Sequence, residues 1–375
     1  MRPRDRVLAC LKTELTLSRT NGKRLSPVRV LAKRLDVSTS TVQSVLNQLK
    51  YEGTIQTQTR NGTFAVLKQV KRESCTVGLN IPQRGRSLEE TWASRIYSGI
   101  FRAMLSSEIP VKLLPLLPTQ GEIPTGKEFE RAAERLLDEV ERVDGAILFP
   151  SPFSDSVRSA YEARGKPVMD LDPPAVSATC NFVAADFFGA SFRLGSAWRQ
   201  AGRRNMVVLN SMSLDEGGYV SERLRLAGFL CGIGEALGSS ISCRVVNAGS
   251  FREENGFMTM KKLLEEMEWK PDAVYCSGDL LALGAIKALL EHGLEIPEQV
   301  SVVGGAGIDL SETDYPKMTR MVQPLEKLGE ALAQGLVNRL LMDESHPVPL
   351  PGKILPLPFC GGATTRPQET ACLKN

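Results

Sequence analysis

"SPVRVLAKRLDVSTSTVQSVLNQLKYEGTIQTQTRNGTFAVL", residues 26–67, sets two helical repeats and a hairpin signal side by side. Ser26 is an N-cap residue type, Pro27 suits a first helical position, and Val28, Leu31 and Leu35 fall on one face. After Asp36-Val37, Ser38 predicts the N-cap of a second helix, with Val42, Val45, Leu46 and Leu49 at helical spacing. Gly53 ends it. Two short strand-like runs, "TIQTQ" and "TFAVL", then flank Asn61-Gly62, the strongest short hairpin signal. Upstream, Arg6 to Leu17 carries Val7, Leu8, Leu11 and Leu15 at near-helical spacing. Three helices and a hairpin in this order make a winged helix-turn-helix.

Charge separates this head from the rest of the chain. Residues 1–72 hold 15 Lys and Arg against 4 Asp and Glu, a net +11, whereas the remainder holds 31 against 39, a net −8. A compact basic head on an acidic body predicts a polyanion partner for the head alone. The apolar stripe of the predicted third helix turns Ser40, Gln43, Ser44 and Asn47 outward, with Thr39 and Thr41 in its first turn. Hydroxyls of this kind bond phosphates or base edges, and Gln or Asn pairs with adenine for about 1–3 kcal/mol. A solvated Ser/Thr-rich face is the plain alternative for the helix alone. Its surroundings favour double-stranded DNA, with Arg29, Lys33, Arg34, Lys50 and Arg60 as phosphate partners.

The stretch Gly22 to Val66 resembles the GntR family of winged-helix regulators. Arg29 matches the family's arginine in the second helix, Ser38 its hydroxyl residue before the recognition helix, and Gly62 its wing-tip glycine. The resemblance implies DNA-contacting roles for Arg29, Ser38, Thr39, Ser40, Thr41, Gln43, Ser44 and Asn47, and for Arg60, Asn61 and Gly62 on the wing. Thr39 and Gln43 stand where the family usually has arginines, which shifts the expected base preference away from guanine.

From Cys75 onward, strand-like runs ("TVGLNIP", "PVKLLPLL", "DGAILFP", "PVMDLD", "NMVVLNS", "SCRVVNAG", "DAVYCSG", "SVVGG") alternate with amphipathic helical segments. Examples of these are 128–140, 222–237, 253–267 and 280–292. Such alternation predicts an α/β body of parallel sheets covered by helices on both faces. Some 290 residues of it are more than one sheet usually carries, so two lobes with a cleft are expected. The polar, patternless run 68–74 marks the junction. We place the head at 1–70, a linker at 71–75 and the body at 76–366. Lobe 1 is assigned 76–185 and 322–345, and lobe 2 is assigned 186–321 and 346–366.

Ligand groups of such a body lie on loops at the carboxyl ends of strands. Arg225 and Asp279 follow two predicted strands, and Asp172 ends a third. A guanidinium fork and a carboxylate can bracket vicinal hydroxyls, the one donating and the other accepting. Taken alone, Arg225 also fits a helix-surface charge and Asp279 an N-cap. The runs "DGAILFPS", "SERLRLAGF", "GDLLALGAIKAL", "GLEIPEQVSVVG" and "MTRMVQPLEKLGEAL" resemble the sensor domain of LacI-type sugar-responsive regulators, a periplasmic-binding-protein type I fold. That resemblance implies ligand contacts at Arg225 and Asp279, and further contacts at Asp172, Ser221 and Ser151. Asp186-Phe187 replaces the family's frequent Asp-Asn at the lobe crossover. A GntR-type head on this body resembles the arabinose-repressor architecture.

Other chemistry lacks its parts. Gly121 to Lys127 fits a phosphate-binding loop, but Glu128 follows where a magnesium-binding hydroxyl is needed. Gly304 to Asp309, "GGAGID", lacks the third glycine of a dinucleotide fingerprint and reads as a loop at a strand end. Eight scattered cysteines without a C-x-x-C pair read as reduced thiols, and two distant histidines supply neither a zinc site nor His-based catalysis. No secretory h-region or membrane-length apolar run occurs, so a cytoplasmic protein is expected. The composite expectation is a homodimeric transcriptional repressor without cofactor or metal, controlled by a small sugar-like effector. A catalytic body, or a ligand-free one serving only dimerisation, stays open at this point.

Overall fold

The computed structural model describes residues 3–17, 25–51, 55–58, 62–65, 74–80, 88–107, 110–115, 140–149, 154–172, 181–211, 220–234, 241–305, 317–341 and 352–373, with 131, 138 and 310 besides. In the head, α1 (Pro3–Leu17), α2 (Val28–Leu35) and α3 (Thr39–Tyr51) enclose one apolar cluster. Val7 and Leu11 of α1, Leu31 of α2, and Val42, Val45, Leu46 and Leu49 of α3 meet there with Ile55. Burial of each such side chain is worth about 1.5–3 kcal/mol, so the spacing read in the sequence is also what holds the head together. The Ser38 hydroxyl accepts from the Thr41 amide at 3.1 Å, which caps α3. At α2 the cap is Pro27 rather than Ser26, and its carbonyl accepts from Val30 and Leu31. Asp36 closes α2 in the left-handed region (φ 50°), which makes the sharp turn into α3.

Strands β1 (Ile55–Gln58) and β2 (Gly62–Ala65) pair antiparallel, Gln58 opposite Gly62, and form the wing. Gly62 has φ 111°, a conformation that suits glycine. The Leu25 amide donates to the Thr63 carbonyl and ties the wing to the approach of α2.

Two parallel sheets make the body. The first has six strands, β3 (Cys75–Asn80), β4 (Val111–Pro115), β5 (Gly145–Leu148), β6 (Val168–Leu171), β7 (Phe182–Ala185) and a last strand from the far end of the chain. The second holds β8 (Asn205–Asn210), β9 (Ser242–Asn247), β10 (Ala273–Cys276) and β11 (Ser301–Val303) in the order β11-β10-β8-β9. All eight strand runs named in the sequence are present. Helices Phe187–Gln200 and Val220–Ile233 cover one face of the second sheet, and Glu253–Glu266 and Asp279–Glu291 cover the other. On the first sheet, α4 (Leu88–Leu105) and the helix Leu325–Leu340 lie on one face and Ser154–Ala163 on the other. Strands buried on both faces must be apolar throughout, as β5, β6 and β10 are apart from Asp170. Asp170 is 2% exposed and held by the Arg158 fork at 2.7 and 2.9 Å.

Three findings depart from the sequence expectation. Residues 353–355, assigned to the second lobe, form β13 (Lys353–Leu355) and pair with β7 at the edge of the first sheet. The chain returns to that sheet because the β7 edge would otherwise present an open row of backbone groups. Cys75, placed in the linker, already belongs to β3. The segment past 366, left outside the body, forms the helix Pro367–Leu373, with Leu373 buried in the second lobe's core.

That terminal helix is pinned by buried charge. Arg203 donates to Glu369 at 2.7 Å and to the Ser301 hydroxyl and Gln299 carbonyl, while Ser301 and the Arg366 amide donate to Glu369. The chain crosses between the sheets at Asp186, at 322–324 and at 356–358. These crossings are laced together: Asp186 N–H donates to Leu355, Val322 N–H to Pro358, and Arg193 to the Leu357 carbonyl. The Asp186 carboxylate also caps the helix that starts at Phe187.

Candidate functional site

On α3 the residues expected to face DNA lie on the side turned away from the core. Thr39, Ser40, Gln43, Ser44 and Asn47 are exposed and Thr41 is half-buried, while the stripe behind them is in the core. Arg29, Lys33, Arg34 and Lys50 are exposed around this face. Ser38 Oγ lies 2.8 Å from both the Ser40 and Thr41 hydroxyls, forming a compact cluster at the helix start. Gln43 Nε2 donates to Asn47 Oδ1 at 3.1 Å, one helical turn on. The bond uses one of the two amide N–H groups, and an exposed Gln amide with an oxygen and a second N–H is the donor–acceptor pair that matches adenine N6 and N7. Arg60 and Asn61, expected at the wing tip, lie outside the described residues, as does Ser151.

The second candidate lies where β8, β10 and β11 end. Arg225, in the second turn of the helix Val220–Ile233, is only 3% exposed, which rules out a surface charge. Its guanidinium stands 4.3 Å over the Phe187 ring, and Nη1 lies 3.5 Å from the Tyr275 hydroxyl and 3.9 Å from Met321 Sδ. Its Nε–H has no partner. Among the described residues it forms no ion pair. A buried cation held by an aromatic face and one phenol is expensive unless a further acceptor arrives. Phe187 at the crossover thus carries the guanidinium, a role its sequence position did not suggest.

Asp279 is the first residue of its helix and 1% exposed; Gly278 is the cap, so Asp279 is not one. Arg320, of β12 (Arg320–Met321), pairs with its carboxylate at 3.6 Å. Gly304 and Gly305, at the end of β11, bring the two groups to one place. A Cβ on Gly304 would lie 2.7 Å from Asp279 Oδ1, and one on Gly305 would lie 2.8 Å from Arg225 Nη1. Gly304 and Gly305 therefore border the candidate site, where a side chain would block the close approach. Tyr275 bonds Ser191 at 3.1 Å besides Arg225, and burial pushes its phenol up, so it stays neutral. Glu222, one turn before Arg225, is buried and accepts from the Ser211 amide at 3.1 Å. Ser221 is half-buried beside it.

Asp172 enters from the first lobe. It directly follows β6 with φ 44° and accepts from the Ala185 amide at 3.4 Å. Burial pushes its carboxyl up to about 7, against the opposing pull of that bond and of the Arg225 charge. The folded state therefore binds this proton more tightly than the unfolded chain, and its contribution to stability falls as pH rises from about 4 to about 7. Asp172→Asn flattens that slope. Melting curves taken across the interval check it, and an unchanged slope would assign the pH dependence to other groups.

Tyr275, Glu222, Phe187, Ser191 and Arg320 were not picked out from the sequence. Among the described residues no cluster of His, Cys, Asp or Glu is placed to hold a metal, and no helix is long and apolar enough to cross a membrane.

Comparison with known proteins places both halves. Residues 4–65 match the model of bacterial regulatory proteins of the gntR family, and 198–364 match the periplasmic binding protein-like domain. The chain is a gntR-type head on a periplasmic-binding-protein-like body. Over 328 residues it is 26% identical to the HTH-type transcriptional repressor PurR of Klebsiella pneumoniae (strain 342), covering 84% of this chain and 91% of that protein. A solved LacI family transcriptional regulator from Enterococcus faecium with bound ribose superposes at TM-score 0.61 and 22% identity, covering 78% of this chain and 99% of that one. The transcriptional regulator CelR in complex with cellobiose gives 0.62 and 22%, covering 88% and 91%. A lac repressor dimer bound to operator gives 0.60 and 23%, covering 78% and 95%. At these identities the solved structures speak for the fold, the lobes and crossings described above.

Proposed function

We propose that this protein is a transcriptional repressor, working in the cytoplasm as a two-fold dimer, whose operator affinity is set by an uncharged, hydroxyl-rich effector bound between the lobes. The observation that carries the reading is the buried Arg225, in no ion pair among the described residues, beside Asp279 at the sheet's carboxyl edge, in a chain with a gntR-type head. Charge supports an uncharged effector. Asp279 is already paired with Arg320, Glu222 lies on the same helix as Arg225, and Asp172 faces them. An acidic effector would meet these carboxylates, whereas hydroxyls can donate to them and accept from Arg225. That relatives of this body are repressors, and that two of similar fold bind ribose and cellobiose, points the same way and favours a regulator over an enzyme.

The body then works by differential affinity. Groups on both lobes close on the effector, the crossings bend, and the two heads change their spacing over paired half-sites. The test is a selection of duplexes by the full chain, followed by a thermal-shift panel of neutral sugars and polyols. A true effector at about 100 times its Kd adds about 2.7 kcal/mol of stability and alters operator affinity. Failure to select any sequence would remove the regulator reading. Gln43→Arg moves the preferred base at one position per half-site toward guanine, with about 1–3 kcal/mol of changed discrimination. Selected-site sequencing reads this directly, and an unaltered motif would mean that this face reads no base.

A further inference from the structure

We infer that Asn210, at the carboxyl end of β8, is a specificity-determining contact that takes a vicinal diol of the effector in addition to the hydroxyls held by Arg225 and Asp279. The inference rests on the effector reading above and adds to it. Asn210 is 1% exposed, and both its amide nitrogen and its carbonyl oxygen lack a hydrogen-bond partner. The Ser211 side chain is wholly buried, and its hydroxyl is unpartnered too. Buried polar groups in folded proteins are nearly always paired, and an amide orphaned at both ends at a strand end calls for an occupant.

Their position says which occupant. Along β8 the side chains alternate, with Val207 and Leu209 in the core on one face and Met206 and Val208 in the core on the other. Asn210 shares the second face, that of Tyr275, whose hydroxyl touches Arg225. It therefore stands one step closer to the carboxyl edge than the phenol that holds the guanidinium. The adjoining backbone is fixed: the Ser211 amide donates to both Glu222 and the Ser277 hydroxyl, each at 3.1 Å. A primary amide offers an acceptor oxygen and two donor N–H groups. Neighbouring hydroxyls on one sugar or polyol complement that set, one donating to Asn210 Oδ1 and the next accepting from Nδ2. A carboxylate or phosphate would satisfy the donors, strand Oδ1 and approach Glu222.

The experiment uses the full-length protein. Titration calorimetry with neutral monosaccharides, disaccharides and alditols, ribose and cellobiose among them, finds a binder, and its singly deoxygenated analogues are then measured. Asn210→Leu, which keeps the branched shape but removes every polar atom, and Asn210→Asp, which removes both donors, each weaken the binder at least tenfold. The analogue lacking the contacted hydroxyl loses affinity for the native protein but nothing further for the variants, a coupling that a purely structural residue does not produce. Variants within twofold of native, alongside a strong loss for Arg225→Ala, overturn the assignment and leave the effector reading standing. Absence of any binder, together with operator affinity indifferent to the whole panel, overturns both. If Asn210→Leu does not fold, the deoxy comparison on Asn210→Asp decides.

Discussion

Glu369→Ala lowers the stability of the body by about 3–5 kcal/mol, because it leaves Arg203 buried with its charge uncompensated. Arg203 and Glu369 are 3% and 0% exposed, so water does not replace the lost partner. The same carboxylate holds Ser301 of β11 and the Arg366 amide, so its loss releases the terminal helix from the second sheet. For a unit of this size, each kcal/mol moves the melting midpoint about 2–4 °C, and the shift is read as a downward move of the body's transition. Replacing both partners, Arg203→Met with Glu369→Leu, recovers most of it, since an apolar pair carries no desolvation cost. A Glu369→Ala protein that melts within a degree of native would show that the pair does not hold the helix.

Arg225→Ala weakens the effector about 10- to 150-fold, the worth of a hydrogen bond to a charged donor, about 1.5–3 kcal/mol. Calorimetry or the effector-induced thermal shift measures it. Arg225→Lys also loses at least about tenfold, because an ammonium neither stacks as a plane on Phe187 nor forks toward two hydroxyls. Without effector, the Arg225→Ala protein melts close to native, since the substitution removes a buried cation that forms no ion pair among the described residues. A full effector response in Arg225→Ala would take the guanidinium out of the site.

The head was the most legible part. Its helices are short, amphipathic and consecutive, so spacing alone told Val42, Val45, Leu46 and Leu49 from Gln43 and Asn47. Even there Ser26 and Pro27 were read one place early, because both residue types suit a helix start and only backbone angles separate them. In the body, strand runs were clear because parallel strands covered on both faces must be apolar. Arg225 and Asp279 were legible as types at strand ends. Glu222 went unnoticed although it shares with Arg225, Gly228, Phe229 and Gly232 the buried face of one helix. A charged pair within an otherwise apolar stripe was the available signal.

Sequence by itself determined which elements form and which side chains face inward, since helix and strand periodicities are local. It also determined that a basic, uncharged-faced helix-turn-helix head precedes an α/β body. Pairings between distant segments were decided only in the tertiary structure. These include β13 on the edge of the first sheet, Phe187 under Arg225, Gly304 and Gly305 against Asp279 and Arg225, and Glu369 on Arg203. The physical reason is that a buried charge or an open sheet edge specifies that a partner must exist, while its position along the chain depends on how the layers close.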